Sequence, residues 1–329
     1  MTNTTQIRPI LLPLDGSEVS EQALPVAAAL ARAAGVALHI VTVEAPLSPL
    51  IGATEYGGQA PELRKEDTTR LSEYLDHARA AAETAGARAV DTSLLLGGVS
   101  AALAGQITGS RIGLVVMTTH GRTGISRFWL GSVADRLLRT VSVPVLLLRP
   151  RESPQATAYR RILVALDGEL EKDVLEAAQA VADLMPEPPA LTLLRVVEPP
   201  IPGLTRLAVQ PAHLGSDWAR RREVEARTSL TRLADRLRAA GRAVTTRVLV
   251  GRPVHDQILE AAVEMSADLI VLGTHRARGL ERLMLGSVAD KVVRQSELPL
   301  LIAPVRRRTR LAKAGRRSAS MAEPVGGTR

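Results

Sequence analysis

The hexapeptide LGSVAD occurs twice in this chain, at residues 130–135 and again at 285–290. Each copy lies toward the end of a longer segment whose beginning also recurs, as ILLPLDG at 10–16 and ILVALDG at 162–168. The chain is therefore two copies of one unit in tandem. Both copies place a Gly-Ser pair where a helix should start, after a buried strand and a loop rich in Gly, Arg and Thr. A helix start exposes amides with no partner inside the helix, together with the positive end of its dipole, so the arrangement suits an anionic ligand.

Within each unit, apolar runs alternate with helical patterns. In the first, strands are expected at 10–14, 36–43, 89–96, 113–117 and 143–148, and helices at 21–34, 61–85, 101–109 and 132–140. Ser17 and Ser20 offer oxygens to cap the first helix, and Gly35 and Gly86 end the first two. In the second, strands are expected at 162–166, 190–197, 243–250, 269–272 and 298–303. Alternating elements with near-continuous apolar strands indicate a parallel sheet covered on both faces. Right-handed crossovers then make each unit a doubly wound, Rossmann-like α/β domain of five strands. Ligands on such sheets bind beyond the carboxyl ends of the strands, at the switch point. The expected division is 1–152 and 158–305, joined by a short polar linker and followed by a basic tail at 306–329. The Pro- and Gly-containing stretches 44–58 and 198–216 lie beside the expected sites, as lids or as plain loops.

At 329 residues, 46% hydrophobic and 23% charged, the composition is that of a soluble globular protein with two full cores. No cysteine is present, which excludes disulfides, thiolate metal sites and a thiol nucleophile. The net charge of +8 is concentrated after residue 305, where eight Lys/Arg face one acid, Glu323. That tail reads as a disordered, solubilising extension, with contact to nucleic acid or an anionic surface as the alternative. Aromatics make up 2% of the chain, which argues against a base-stacking surface. No apolar run approaches the ~18 residues of a membrane span. The opening MTNTTQIRP has no basic and apolar leader pattern, so a cytoplasmic location is expected.

The loop before each LGSVAD carries the candidate chemistry. It contains no G-x-x-x-x-G-K-[ST], and no G-x-G-x-x-G follows the first strand, so the familiar phosphoryl-transfer machinery has no visible counterpart. Ser132 with Asp135, and Ser287 with Asp290, resemble capping-box starts, a role compatible with lending the hydroxyl to a phosphate. Asp15 and Asp167 close the first strand of each unit, in a position that also suits a plain turn. His120 and His275 recur without a triad or metal spacing and read as structural. Arg122, Arg127, Arg276, Arg278 and Arg282 either complement a triphosphate or are solvated loop residues.

Taken together, the PLDG and ALDG turns, the Thr-His pairs, and LGSVAD followed by VPVLLL or LPLLI resemble the universal stress protein family in its tandem form, over about residues 8–150 and 160–304. The resemblance implies adenine nucleotide alpha hydrolase-like domains that bind ATP, with or without Mg2+, through G-x2-G-x9-G-[ST]. It implies that Asp15 and Asp167 face the adenosine, that Val43 and Val196 present backbone to the adenine, and that Met117 and Leu272 close the pocket. Gly121, Gly131 and Ser132 would wrap the phosphates in the first unit, and Gly273, Gly286 and Ser287 in the second. Pro13, Val133, Ala165 and Val288 flank these positions, and Thr118 and Arg276 each replace one glycine of the signature. The first unit, with Gly121 and Gly131-Ser132 intact, is expected to be the better phosphate site. Also implied is pairing through the last strands, within one chain or between two, and a regulatory role in which ATP is sensed rather than consumed. A slow ATPase or autophosphorylating protein using Ser132 or Ser287, and a ligand-free interaction scaffold, remain open on the residues alone.

Overall fold

The computed structural model describes residues 8–45, 60–119, 130–153, 155–168, 171–199, 213–274 and 285–304. The first repeat contributes β1 (Ile10–Pro13), α1 (Glu18–Glu21), α2 (Leu24–Ala34), β2 (Leu38–Glu44), α3 (Ala60–Thr84), β3 (Val90–Leu96), α4 (Val99–Gly109), β4 (Leu114–Thr118), α5 (Ser132–Thr140) and β5 (Val145–Leu148). The second contributes β6 (Arg161–Ala165), α6 (Glu171–Ala182), β7 (Ala190–Val197), α7 (His213–Ala239), β8 (Val244–Val250), α8 (Val254–Glu264), β9 (Leu269–Thr274), α9 (Ser287–Gln295) and β10 (Leu300–Pro304).

The strands form one ten-stranded sheet in the order β3-β2-β1-β4-β5-β10-β9-β6-β7-β8. Within each repeat every pairing is parallel, as the apolar runs require. The repeats meet through their last strands, which run antiparallel with Leu147 opposite Leu300, Leu146 opposite Leu301 and Val145 opposite Ile302. Each repeat has the order 3-2-1-4-5 in its own count, so the strand order reverses between β1 and β4, and again between β6 and β9. Because the last strands are antiparallel, the carboxyl ends of the two parallel halves point to opposite edges of the common sheet.

Side chains alternate across this sheet with period two. Ile10, Leu12, Leu146, Leu148 and Leu301 enter one apolar cluster with α2, α3, α6 and α7. Leu11, Val145, Leu147, Leu300 and Ile302 enter the other with α4, α5, α8 and α9. Each cluster holds residues of both repeats, so the covering helices form two layers over a shared sheet. Among the described residues no helix is long and apolar enough to cross a membrane.

The first helix departs from its expected form. One helix over 21–34 was expected, but α1 and α2 are separate: Ser17 caps α1 by accepting the Ser20 amide, and Pro25 sits in the first turn of α2, where its missing amide costs nothing. Strand β2 begins two residues later than the apolar pattern suggests. Gly35, at φ +66°, and the Val36 amide, bonded back to the Ala31 carbonyl at 3.1 Å, still belong to the end of α2.

The linker is held rather than loose. Gln22 grips it twice, donating to the Arg151 carbonyl and accepting the Arg151 amide, each at 3.0 Å. Asp268 accepts the amides of Arg160 and Arg161 at 2.7 and 3.0 Å, fixing the entry to β6. Arg149, directly after β5, is 6% exposed and donates Nη2 to the Val293 carbonyl of α9, while its Nε and Nη1 find no partner among the described residues. Burial lowers its pKa to about 10.

Two expectations follow. Leu301→Ala, at the fully buried centre of the joint, lowers stability by about 2–5 kcal/mol; both repeats then melt at the same lowered urea midpoint, and calorimetry still records one transition. Arg149→Met removes a buried charge with incomplete hydrogen bonding and raises stability at pH 7 by about 1–2 kcal/mol. Arginine's burial cost is fully present below pH 10 and is relieved as pH rises above it toward the ordinary guanidinium value. The methionine advantage, read from urea midpoints, therefore narrows above pH 10.

Candidate functional site

Each repeat opens a cavity at the carboxyl end of its strands, at the point where the strand order reverses between its first and fourth strands. The first has a volume of about 470 Å3 and the second about 450 Å3. In the first, Pro13, Asp15, Val43, Met117, Thr118, Gly131, Ser132 and Val133 all reach the lining. In the second, Ala165, Asp167, Val196, Leu272, Gly273, Gly286, Ser287 and Val288 do so. Gly121, Arg276, His120, His275 and the loop arginines Arg122, Arg127, Arg278 and Arg282 lie outside the described residues, as do the tail at 306–329 and most of the stretches 44–58 and 198–216.

The equivalence of the two sites is set by backbone register. Leu14 donates to the Val41 carbonyl at 2.9 Å, and Leu166 to the Leu194 carbonyl at 2.8 Å. Counting on from these bonds, Val43 corresponds to Val196, although the letters TVE and VVE invite a match one residue later.

The turn after β1 is built on Asp15. Its Oδ1 accepts the Ser17 amide at 3.0 Å and the Ser17 hydroxyl at 2.6 Å, and its own amide donates to Ser20 Oγ at 3.3 Å. Gly16 follows at φ +80° and Gly168 stands in the same place at φ +91°, a conformation with a steric cost for any side chain. Asp15 therefore performs turn chemistry and lines the cavity at once.

The helix after the glycine-serine pair corrects the sequence expectation. Ser132 and Ser287 are not capping-box residues: the cap positions are Gly131 and Gly286, in extended geometry (ψ 147° and 152°) with no side-chain capping bond. The serines are the first helical residues, one position too late for their hydroxyls to fold back on the amide of the third helical residue as a cap does, and both are exposed. The first intrahelical bonds run from Asp135 to the Gly131 carbonyl at 2.9 Å and from Asp290 to the Gly286 carbonyl at 2.8 Å. The amides of the residues between have no carbonyl within their helix to bond. Gly131, Ser132, Val133 and Ala134 line the first cavity, and Gly286, Ser287, Val288 and Ala289 the second.

The aspartates of LGSVAD serve another end. Asp135 binds Arg139 through both oxygens at 2.9 and 3.0 Å, and Asp290 binds Arg294 at 2.9 and 3.1 Å. Arg139 also reaches Asp290 of the other repeat at 3.9 Å. The hydrogen bonds that Arg139 donates to Asp135, then the charges of Asp135 and Asp290, raise the Arg139 pKa. The repeated motif thus faces a cavity with its first residues and the other repeat with its last.

Several lining residues escaped the sequence reading. Val99 and Leu103 on α4, matched by Val254 and Ile258 on α8, give each cavity an apolar wall. Their i, i+4 spacing in both repeats was the available signal. From α3, Asp67, Arg70 and Leu71 overhang the first cavity, with Arg70 paired to Asp67 at 2.8 Å and Thr68 donating to Glu44 at 3.1 Å. Thr42 is 2% exposed, lines the same cavity, and its hydroxyl has no partner among the described residues. In the second repeat Glu198 lines the cavity and pairs with Arg252 at 3.2 Å.

The pattern for the Universal stress protein family matches residues 6–149 and again 158–304. The chain belongs to this family. A universal stress protein of Mycobacterium tuberculosis is 26% identical over 319 residues, covering 90% of this chain and 95% of its own length. One from Methanocaldococcus jannaschii is 32% identical over 145 residues, 44% of this chain and 81% of its own. Among solved structures, a universal stress protein from Archaeoglobus fulgidus superposes with a TM-score of 0.67 at 20% identity, covering 90% of this chain and 98% of that one. It shows the same fold.

If Asp15 acts chiefly in its turn, Asp15→Asn, which keeps an acceptor for Ser17, changes stability by less than ~0.5 kcal/mol, while Asp15→Ala costs about 1–2 kcal/mol. Thermal unfolding of both variants distinguishes this from a role that depends on the negative charge.

Proposed function

We propose that this member of the family is a regulatory protein that binds an adenine nucleotide in each repeat, ATP serving as a sensed or structural ligand rather than a fuel. We take the working units to be residues 1–152 and 158–305, paired within one chain through β5 and β10, with 306–329 outside both.

The observation that carries the reading is the convergence, twice in one chain, of three features on one cavity. An apolar wall from α4 or α8 can take a flat base. The backbone end of β2 or β7, at Val43 or Val196, offers polar edges beside it. A helix N-terminus whose cap glycine makes no side-chain capping bond, and whose first amides have no partner within the helix, faces the other end, where phosphates bind well. The Thr42 hydroxyl supplies a further buried group that a ligand can satisfy. Among the described residues no cluster of three carboxylate or imidazole ligands is present. Mg2+ entering with a triphosphate would draw on phosphate oxygens and water, as it commonly does.

The two pockets differ at the signature glycines. Gly273 lines the second cavity, whereas in the first the buried Thr118 takes its place and projects a side chain. Single substitutions separate the pockets. Gly131→Arg and Gly286→Arg each fill the front of one helix and remove one binding site, with the far-UV spectrum unchanged. Calorimetric titration with ATP, ADP and AMP gives two sites for the parent chain, one for each variant and none for the double variant. No nucleotide released from the denatured parent protein, and no heat at micromolar concentration, overturns the reading.

A further inference from the structure

A third cavity, about 840 Å3 and larger than either pocket, shares no lining residue with them. It lies under the amino ends of β1, β4 and β5, against α6 and the end of β10. Arg8, Ser142, Asp173, Glu176, Ala180 and Pro304 are among the residues around it.

The pseudo-symmetric counterpart of this groove is filled. There the linker leaves β5 and stays on the protein: Arg149 is 6% exposed, Gln155 7% and Tyr159 1%. Arg151 is held by Gln22 just before α2, and its guanidinium reaches the Glu297 carbonyl at 3.5 Å. Glu297 stands two residues before Pro299 as Ser142 stands two before Pro144, so Ser142 marks the same wall in the open groove. In sequence, Pro304 corresponds to Arg149 and Arg306 to Arg151.

We propose that the open groove is the docking site of the chain's own segment 305–310, VRRRTR, which continues from Pro304 along the course the linker takes in the other half. Two facts favour this occupant. The segment starts at the groove, since Pro304 is part of its wall. Its charge is complementary: Arg306, Arg307, Arg308 and Arg310 meet Asp173 and Glu176, while Arg8 is the opposing cation. Glu176 also meets Lys172 at 3.5 Å, in a largely exposed pair that an arginine can share. The proposal does not depend on nucleotide binding.

The absence of cysteine provides the test, because Ala180→Cys places a single thiol in the groove of the full chain. Its reaction with a charged thiol reagent is expected to be at least ~10-fold slower than in the same variant ended at Pro304. Salt at 1 M, where screening extends only about 3 Å, and the double reversal Asp173→Lys with Glu176→Lys are each expected to restore fast reaction. Equal rates with and without the tail overturn the proposal. So does protection that survives truncation, the result expected if another segment or a second copy covers the groove. As a second readout, Ala180→Cys with Thr309→Cys forms a disulfide within one chain; its absence, or a disulfide between chains, also overturns it.

Discussion

Everything else in the molecule depends on three antiparallel residue pairs between β5 and β10. A five-stranded parallel sheet ends in an apolar strand with an open row of backbone donors and acceptors, a liability unless another strand covers it. Here the second repeat supplies that strand. All of Val145, Leu146, Leu147 and Leu148 are buried, as are Leu300, Leu301 and Ile302. The pairing merges two cores into two continuous apolar layers. Its antiparallel sense sends the two cavities to opposite edges of the sheet, so the repeats are joined mechanically while their pockets stay apart.

The repeated motif LGSVAD shows how one short helix can serve two surfaces. Its glycine and serine stand at the uncapped front, where orphan amides meet the cavity. Three residues on, the helix has turned, and Asp135 and Asp290 lie toward each other's repeat, each gripping an arginine one turn later. The buried alanine between, Ala134 or Ala289, packs on the sheet. Such half-exposed ion pairs contribute little individually; their place at the junction makes them a matter of orientation more than of strength.

The copies have diverged where local demands differ. Thr118 stands where the second repeat has Gly273, and Pro304 stands where the first has the buried Arg149. Over the first cavity α3 brings Asp67 and Arg70, whereas Glu198 of the second is tied to Arg252. A duplicated fold thus carries two unlike pockets and two unlike grooves.

The order of elements, the parallel sheets and most of the cavity lining were legible in the chain itself. Each rests on local periodicity or on a residue type next to a strand end, as with Asp15, Met117 and Gly131. The sequence alone also determined the duplication, because identical hexapeptides need no structure to be seen. Other features were decided only by tertiary contact. Whether Ser132 caps its helix depends on backbone angles at Gly131 that no side-chain pattern encodes. Thr42, Asp67 and Leu103 share a cavity through three elements far apart in the chain. That the linker fills one groove, while among the described residues nothing covers its twin, was settled by where the chain runs after β5. Local patterns record how a residue meets its neighbours along the chain, and only packing brings together residues the chain holds apart.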